Sequence, residues 1–327
     1  TAFYYFDEEL RTLFLKYILH VERQLKSMLS YYFCQKYGEQ QTAYLTAGNF
    51  NYTRKNQYKI NRLITTLSKT IALPSNYSYI THHATVYGNV PLWVATNALT
   101  FGQISKMYQY TTSDIRTKVS LNFANMSEVQ LHQLIRILAS CRNVCAHNER
   151  LYSFQVNEAI PDTVLHSKLQ IPQKNGQYAI GKKDLFAVVI ALRYLIDNQE
   201  FKQFKAELKR LIHSVLKNCP HISQELLFSK MGFPENWEKI VDRCPCVYRV
   251  YLCSHYPQFV DKLWISSGKP YSHPQCSVRI PFFSWFLPLC TTFSFPYPLF
   301  VENLPVFCHF CLHPQLSNKV IHNIFHF

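Results

Sequence analysis

Leu10, Phe14, Tyr17, Val21, Leu25, Met28 and Tyr32 follow one another at steps of three or four residues. That spacing draws one apolar stripe along a helix, and a stripe of such length has to be buried against other elements. It predicts a long amphipathic helix over Asp7–Tyr37, with Asp7 as N-cap and Gly38 as stop. Glu22, Arg23 and Lys26 fall mostly on the opposite, solvated side. A chain that opens this way is committed to packing further helices around the first.

The same period recurs through the first 240 residues. A second helix is expected from about Thr53 to Leu73, with Tyr58, Leu63, Ile64 and Leu67 turned inward and Pro74-Ser75-Asn76 ending it. Between Tyr77 and Gly88 the pattern weakens. His82-His83 stand there without spaced acidic or cysteine partners, and adjacent histidines point apart, so no joint metal site is expected. Val90–Gly102 reads as a short buried helix with Pro91 in its first turn, and Gln103–Tyr110 and Ser113–Phe123 as two more. Pro161, Pro172 and Asn175-Gly176 break Ser153–Gly181 into an irregular excursion with room for a small hairpin. Lys182–Asp197 and Glu200–Lys217 return to helix, and Leu226, Met231–Pro234 and Trp237 form a closing segment docked on the bundle. No internal repeat is visible. The fold class is all-α, a helical bundle over residues 1–240.

One helix carries the chemistry. Ser127 and Gln130 form a capping box that opens it. Leu131, Ile135, Leu138 and Arg142 then share one stripe, with Leu134 and Cys145 beside it. A second, polar stripe runs through Arg136, Ser140, Asn143, His147 and Arg150. The run Arg142-Asn143-x-x-Ala146-His147 places a permanent cation, an amide and an imidazole close together. Arginine grips phosphate with a planar fork. Histidine titrates near neutrality and moves protons. Those capacities suit phosphate chemistry. Residues 142 and 147 lie roughly 140° apart on an ideal helix. Either the helix ends near His147, or the long Arg142 side chain wraps, or a second copy completes the site. The purely structural alternative pairs Arg142 with Glu149 and makes His147 a satisfied helix-end imidazole.

The formal net charge of +14 favours polyanions, either nucleic acid or an anionic membrane surface. Lys106, Arg116 and Lys118 can line an RNA path or face water. Eight glycines are too few for a glycine-rich nucleotide fold. No signal peptide is seen, so Cys34, Cys141, Cys145 and Cys219 are expected to be reduced, cytosolic thiols packed as small hydrophobes. Beyond Ile240 the chain is rich in proline, cysteine and phenylalanine, and residues 241–327 read as a poorly structured extension rather than a second domain. Pro281, Pro288, Pro296 and Pro298 interrupt its uncharged run too densely for a membrane span. Cys244-x-Cys246 and Cys308-x-x-Cys311-x-His313 are too far apart and mismatched in spacing for a compact zinc module. No metal or cofactor is expected.

Arg142-Asn-Val-Cys-Ala-His147-Asn-Glu-Arg150-Leu151 resembles the signature of the Abi-like (abortive infection) proteins within the HEPN superfamily, an arginine followed a few residues later by histidine, often with a polar residue after the arginine. Pro91-Leu-Trp-Val94 through Leu99-Thr-Phe-Gly102-Gln-Ile-Ser105, and Met231-Gly-Phe-Pro-Glu-Asn-Trp237, are similar to flanking family blocks. The resemblance covers about residues 1–240 and begins part-way into the family's length. It implies a HEPN-type helical bundle, often dimeric, acting as a metal-independent endoribonuclease in phage defence. Arg142 and His147 would be the catalytic pair, with Asn143 in support. Glu149 stands where some toxin–antitoxin HEPN domains carry a tyrosine that is modified.

The expectation is therefore a cytoplasmic HEPN-type ribonuclease whose site lies in a homodimer cleft, with no membrane partner. Arg150, Arg136 and Lys106 would bind RNA, under control of a regulatory RNA or protein. The alternative is a non-catalytic HEPN module that binds RNA or protein, and a third reading is a membrane-linked effector using the tail.

Overall fold

The computed structural model describes residues 2–123 and 126–240. The elements run α1 (Ala2–Tyr37), α2 (Gln41–Leu45), α3 (Gln57–Ile71), α4 (Ser78–Tyr87), α5 (Leu92–Ala95), α6 (Phe101–Tyr110), α7 (Ser113–Leu121), α8 (Glu128–Ala146) and α9 (Val164–Lys168). After a two-stranded hairpin, β1 (Gln173–Lys174) and β2 (Gln177–Tyr178), come α10 (Leu185–Leu195), α11 (Asn198–Asn218) and α12 (Gln224–Met231). The described chain is all-α apart from that hairpin, in which Gln173 pairs with Tyr178 and Lys174 with Gln177, antiparallel. The excursion after residue 153 thus contains the small hairpin its turn residues allow.

α1 is the axis. At about 1.5 Å per residue its 36 residues run roughly 54 Å. Leu10, Phe14, Ile18, Val21, Leu25, Leu29 and Phe33 are completely enclosed by α5, α6, α7, α8, α10 and α11, which pack around the helix. The helix starts earlier than the expected N-cap. Asp7 is inside it and buried, as is Glu22, so the solvated face expected for Glu22 is corrected: Arg23 is exposed, Glu22 is not. α10, with Leu185 to Arg193 all buried, is apolar but for Arg193 and fills the space between α1, α8 and α11.

One further expectation is corrected. α3 buries Ile60, Leu63 and Leu67, but Tyr58 is 75% exposed. At 100° per residue Tyr58 lies diametrically opposite those three, so its ring cannot join their face. The weak stretch around His82-His83 is the helix α4, in which Ile80 is the one buried residue. A single anchor leaves no period to read. Among the described residues no group of His, Cys, Asp and Glu is arranged to hold a metal ion, and no helix is long and apolar enough to cross a membrane. The membrane-span and zinc expectations for residues 241–327 lie outside the described residues.

A buried polar knot closes the far end of the bundle. Asp184 caps α10, accepting from the Ala187 amide at 3.0 Å and from the Gly181 amide at 2.8 Å. His166 donates from Nε2 to the Gly181 carbonyl at 2.8 Å while Nδ1 accepts from the Thr163 amide. Gly232 ends α12 with φ +72, and a Cβ there would sit 2.2 Å from Asp184 Cγ. Gly232→Ala therefore combines left-handed strain with a clash against a buried carboxylate. Thermal unfolding is expected to show a loss of about 2 kcal/mol or more.

Candidate active site

α8 begins as its sequence dictates. The Ser127 hydroxyl accepts from the Gln130 amide, and the Gln130 side chain accepts from the Ser127 amide. Leu131, Ile135 and Leu138 are enclosed on the stripe that ends in half-buried Arg142. Cys141 and Cys145 are buried free thiols one turn apart, and burial, with the Cys145 contact, pushes the Cys141 thiol well up. With Cys34 and Cys219, also free, they pack as small hydrophobes.

The helix stops where the motif needs it to stop. His147 is the C-cap residue, and Asn148 follows in the left-handed region with φ 56. The Glu149 amide donates to the Val144 carbonyl at 3.1 Å and the Asn148 amide to the Cys145 carbonyl at 3.4 Å. That pair of bonds is a Schellman motif, and asparagine is the residue besides glycine that best tolerates its left-handed position. Asn143, His147, Asn148 and Arg150 are all exposed. Among the described residues none hydrogen-bonds the side chains of Asn143, His147 or Arg150; the helix ends at Ala146, so Arg150 lies beyond the polar stripe that the sequence extends to it.

The loop that follows is latched to α1. Asp7 accepts from the Leu151 and Tyr152 amides at 3.0 Å each, and it pairs with Arg11 one turn on. Arg11 also donates to the Glu149 carbonyl at 3.3 Å. Leu151 is enclosed, and Tyr152 sets its ring edge-on against Phe3. Farther along α1, Glu22 pairs with Lys26 through one oxygen at 2.9 Å and faces Arg142 Nε through the other at 3.9 Å. The partner of Arg142 is thus Glu22 and not Glu149. The two contacts fix α1 and α8 as antiparallel neighbours, with Asp7 beside the end of α8 and Glu22 beside Arg142. Asp7, Arg11 and Glu22 fall within 60° of one another at 100° per residue, so one face of α1 supplies all three.

The remaining expected contacts are placed as follows. Arg136 is exposed but paired with Glu158. Lys106 is exposed on α6, which packs against α8. At the start of α8, His132 lines a pocket of about 230 Å³ with Asn51, Asn56, Arg116 and Glu128. Burial and the charges of Arg136 and Arg116 push its imidazole down to about 4, so it is neutral at pH 7.

Residues 1–153 match the Abi-like protein family model. The match supports the Abi-like family and ends one residue beyond Tyr152, so the Abi-like segment takes in α1 to α8, the motif and its latch. No curated protein and no solved structure matches the chain.

Two outcomes are expected. Asn148→Gly should leave stability and the exposure of His147 unchanged, whereas Asn148→Val should cost about 1–2 kcal/mol in denaturant unfolding, because a β-branched residue resists the left-handed position. For His132, the folded pKa of about 4 lies below the unfolded value of 6.5. The unfolded state then binds more protons across that interval. The stability contribution is complete above pH 6.5 and is lost as pH falls toward 4. His132→Gln should flatten the acid slope in that window, measured as the difference between wild-type and variant denaturation midpoints.

Proposed function

We propose that this chain acts in abortive infection as a metal-independent endoribonuclease of the HEPN type. The observation that carries the reading is the division of labour at the end of α8. Arg142 is held at the helix flank beside Glu22, while His147 is presented, unengaged, on the capped end with Asn143 and Arg150. In the reaction the RNA 2′-oxygen attacks its own phosphorus, the 5′-oxygen leaves, and a cyclic 2′,3′-phosphate forms. One proton leaves the 2′-hydroxyl and one reaches the 5′-oxygen. An imidazole can serve either transfer. The Arg142 fork would stabilise the charge that builds on the phosphorane oxygens, with Asn143 donating alongside and Arg150 holding a neighbouring phosphate. Lys106 can steer the strand. Arg136 contributes less, since Glu158 offsets its charge.

Arg142 and His147 point to different sides of one helix, so a second copy is the economical completion of the site. A twofold axis at the end of α8 would set His147 of one protomer beside Arg142 of the other and supply both an acid and a base. The contact between Arg142 and Glu22 also favours a second reading, a non-catalytic module in which Arg142 serves structure alone and RNA or a partner protein is bound without cleavage.

Cleavage of RNA in chelator separates the two. Wild type should cut, and His147→Ala and Arg142→Ala should each lose about a hundredfold or more. Equal cleavage by all three would sink the ribonuclease reading. Mixing the two inactive variants should restore up to about one quarter of wild-type activity if the site takes its arginine and histidine from different protomers, because half the dimers would be mixed and each would carry one intact site. No recovery on mixing would place both residues of a site on one chain.

A further inference from the structure

From Gln40 to Ser113 the chain carries no aspartate or glutamate, while Arg54, Lys55, Lys59, Arg62 and Lys69 crowd into its middle. The structure turns this bias into a surface. Tyr58, Arg62, Thr65 and Lys69 recur at steps of four, three and four along α3, on the side diametrically opposite buried Ile60, Leu63 and Leu67. Arg54, Lys55 and Lys59 are exposed around the start of the helix. Among the described residues no carboxylate pairs with any of these five cations. The acid that lines the pocket with Asn51 and Asn56, Glu128, is occupied by Arg116 at 2.8 Å.

Two aromatic rings stand among the charges. Tyr58 is 75% exposed on α3, and Tyr52, ahead of the helix, is 44% exposed and accepts from Asn61 on α3. At the other end of the face, Lys69 borders a surface pocket of about 280 Å³ lined also by Thr66, Thr70, Ser75, Asn76 and Tyr77. Cations, flat rings and a polar pocket therefore follow one another from the segment ahead of α3, along its outer face, to the turn after it.

We propose that the outer face of α3, from Tyr52 to the pocket beside Lys69, is a binding track for single-stranded RNA. Unpaired cations track a phosphate backbone, and exposed tyrosines give unpaired bases a surface to stack on. A duplex keeps its base faces hidden and cannot use the rings. A membrane surface would call for bulky aliphatic side chains between the cations, and here they are Asn61, Thr65 and Ser68. The choice of RNA over DNA rests on the reading of the α8 site as a ribonuclease, whereas the track itself does not. The cleft holding Asn51, Asn56 and His132 joins the start of the track to the start of α8, and His147 lies about 22 Å farther along that helix. A strand captured on α3 would be held close to the motif.

The test is fluorescence anisotropy of a labelled single-stranded RNA with 2′-O-methyl riboses, which lack the attacking hydroxyl, so that binding is read without cleavage. The full chain should bind with strong salt dependence. Lys59→Glu/Arg62→Glu should weaken binding at least about tenfold and make the slope of log affinity against log salt shallower by about 1.4, at about 0.7 per lost phosphate contact. Tyr58→Ala should weaken it about tenfold with the slope unchanged. These side chains are exposed, and unchanged melting curves would show that the fold persists. Arg62→Gln gives a milder second variant. Affinity unchanged within about twofold in all three variants overturns the proposal. So does equal or tighter binding to duplex RNA or to phosphatidylcholine vesicles with about one-fifth phosphatidylserine, whereas equal binding to single-stranded DNA overturns the choice of RNA and leaves a single-strand track. Binding that depends on α3 without cleavage of unmodified RNA would remove the ribonuclease reading and leave the track standing. Cleavage whose KM and kcat both ignore the α3 variants would remove the track alone.

Discussion

Asp7 is a carboxylate inside the bundle, and both its oxygens are committed. One chain segment supplies Arg11, and another, 144 residues away in sequence, supplies the Leu151 amide. A buried charge without such partners costs several kcal/mol, so wherever this helix packs, the amides of the loop after α8 must come to it. Glu22 imposes a second condition along the same face of α1, since Arg142 and Lys26 converge on it. Two fixed points on antiparallel helices leave no freedom to slide. Moving α8 by one residue against α1 would strand a carboxylate at one point or an arginine at the other. The position of the motif is therefore set by polar contacts at both ends and by apolar packing between them.

That register has a chemical consequence. With Asp7 fixing the loop and the Asn148 cap fixing the last turn, His147 is displayed without being held by any side chain of the described residues. Arg142 is in the opposite situation, half-buried and facing an acid. For Arg142 to grip a phosphate, the phosphate has to compete with Glu22. Lys26, at 2.9 Å from the other oxygen of Glu22, would leave that acid paired if Arg142 turned to a phosphate. The same pairing keeps the guanidinium from wandering when no anion is present. The α1–α8 register thus sets the two side chains in opposite surroundings, His147 exposed at the helix end and Arg142 half-buried beside Glu22.

How much of this was legible in the sequence depends on how far apart the interacting groups lie. The helical class, the excursion after residue 153 and the capping box at Ser127 all rest on neighbours within a turn or two, and each is present. The end of α8 is equally local, since Asn148 directly after His147 is a good left-handed cap, yet an apolar period running through Cys145 masks the stop. Tyr58 stands five residues before Leu63 and nine before Leu67, intervals that put it across the helix from them, whereas Ile60, three before Leu63, shares their face. Asp7 and Glu22 defeated the periodic reading altogether. A charged residue on an amphipathic helix is ordinarily solvated, and nothing within the helix signals that its partner is a backbone amide or an arginine from a distant segment. The i, i+4 pairs of Asp7 with Arg11 and Glu22 with Lys26 were the available clue, because each keeps a buried acid from being alone.

The distribution of charge follows the same logic of pairing. Most acids of the described chain are already engaged: Asp114 with Lys36, Glu128 with Arg116, Glu158 with Arg136, Asp162 with Lys182, Glu207 with Lys16 and Glu238 with Lys209. Each such pair is nearly neutral beyond a Debye length, about 10 Å at ordinary salt. The excess positive charge of the chain is consequently felt where cations lack acids, and α3 is the longest such stretch. Pairing also explains why Arg136, on the same helix as the motif, is a poorer anchor for a polyanion than its exposure suggests, since binding a phosphate there would first have to displace Glu158. On the proposed reading, the field concentrated on α3 and the imidazole free at the end of α8 would divide capture from chemistry: capture would tolerate many sequences, because phosphates and bases are common to all, and the geometry at the end of α8 would decide which phosphodiester is placed for attack.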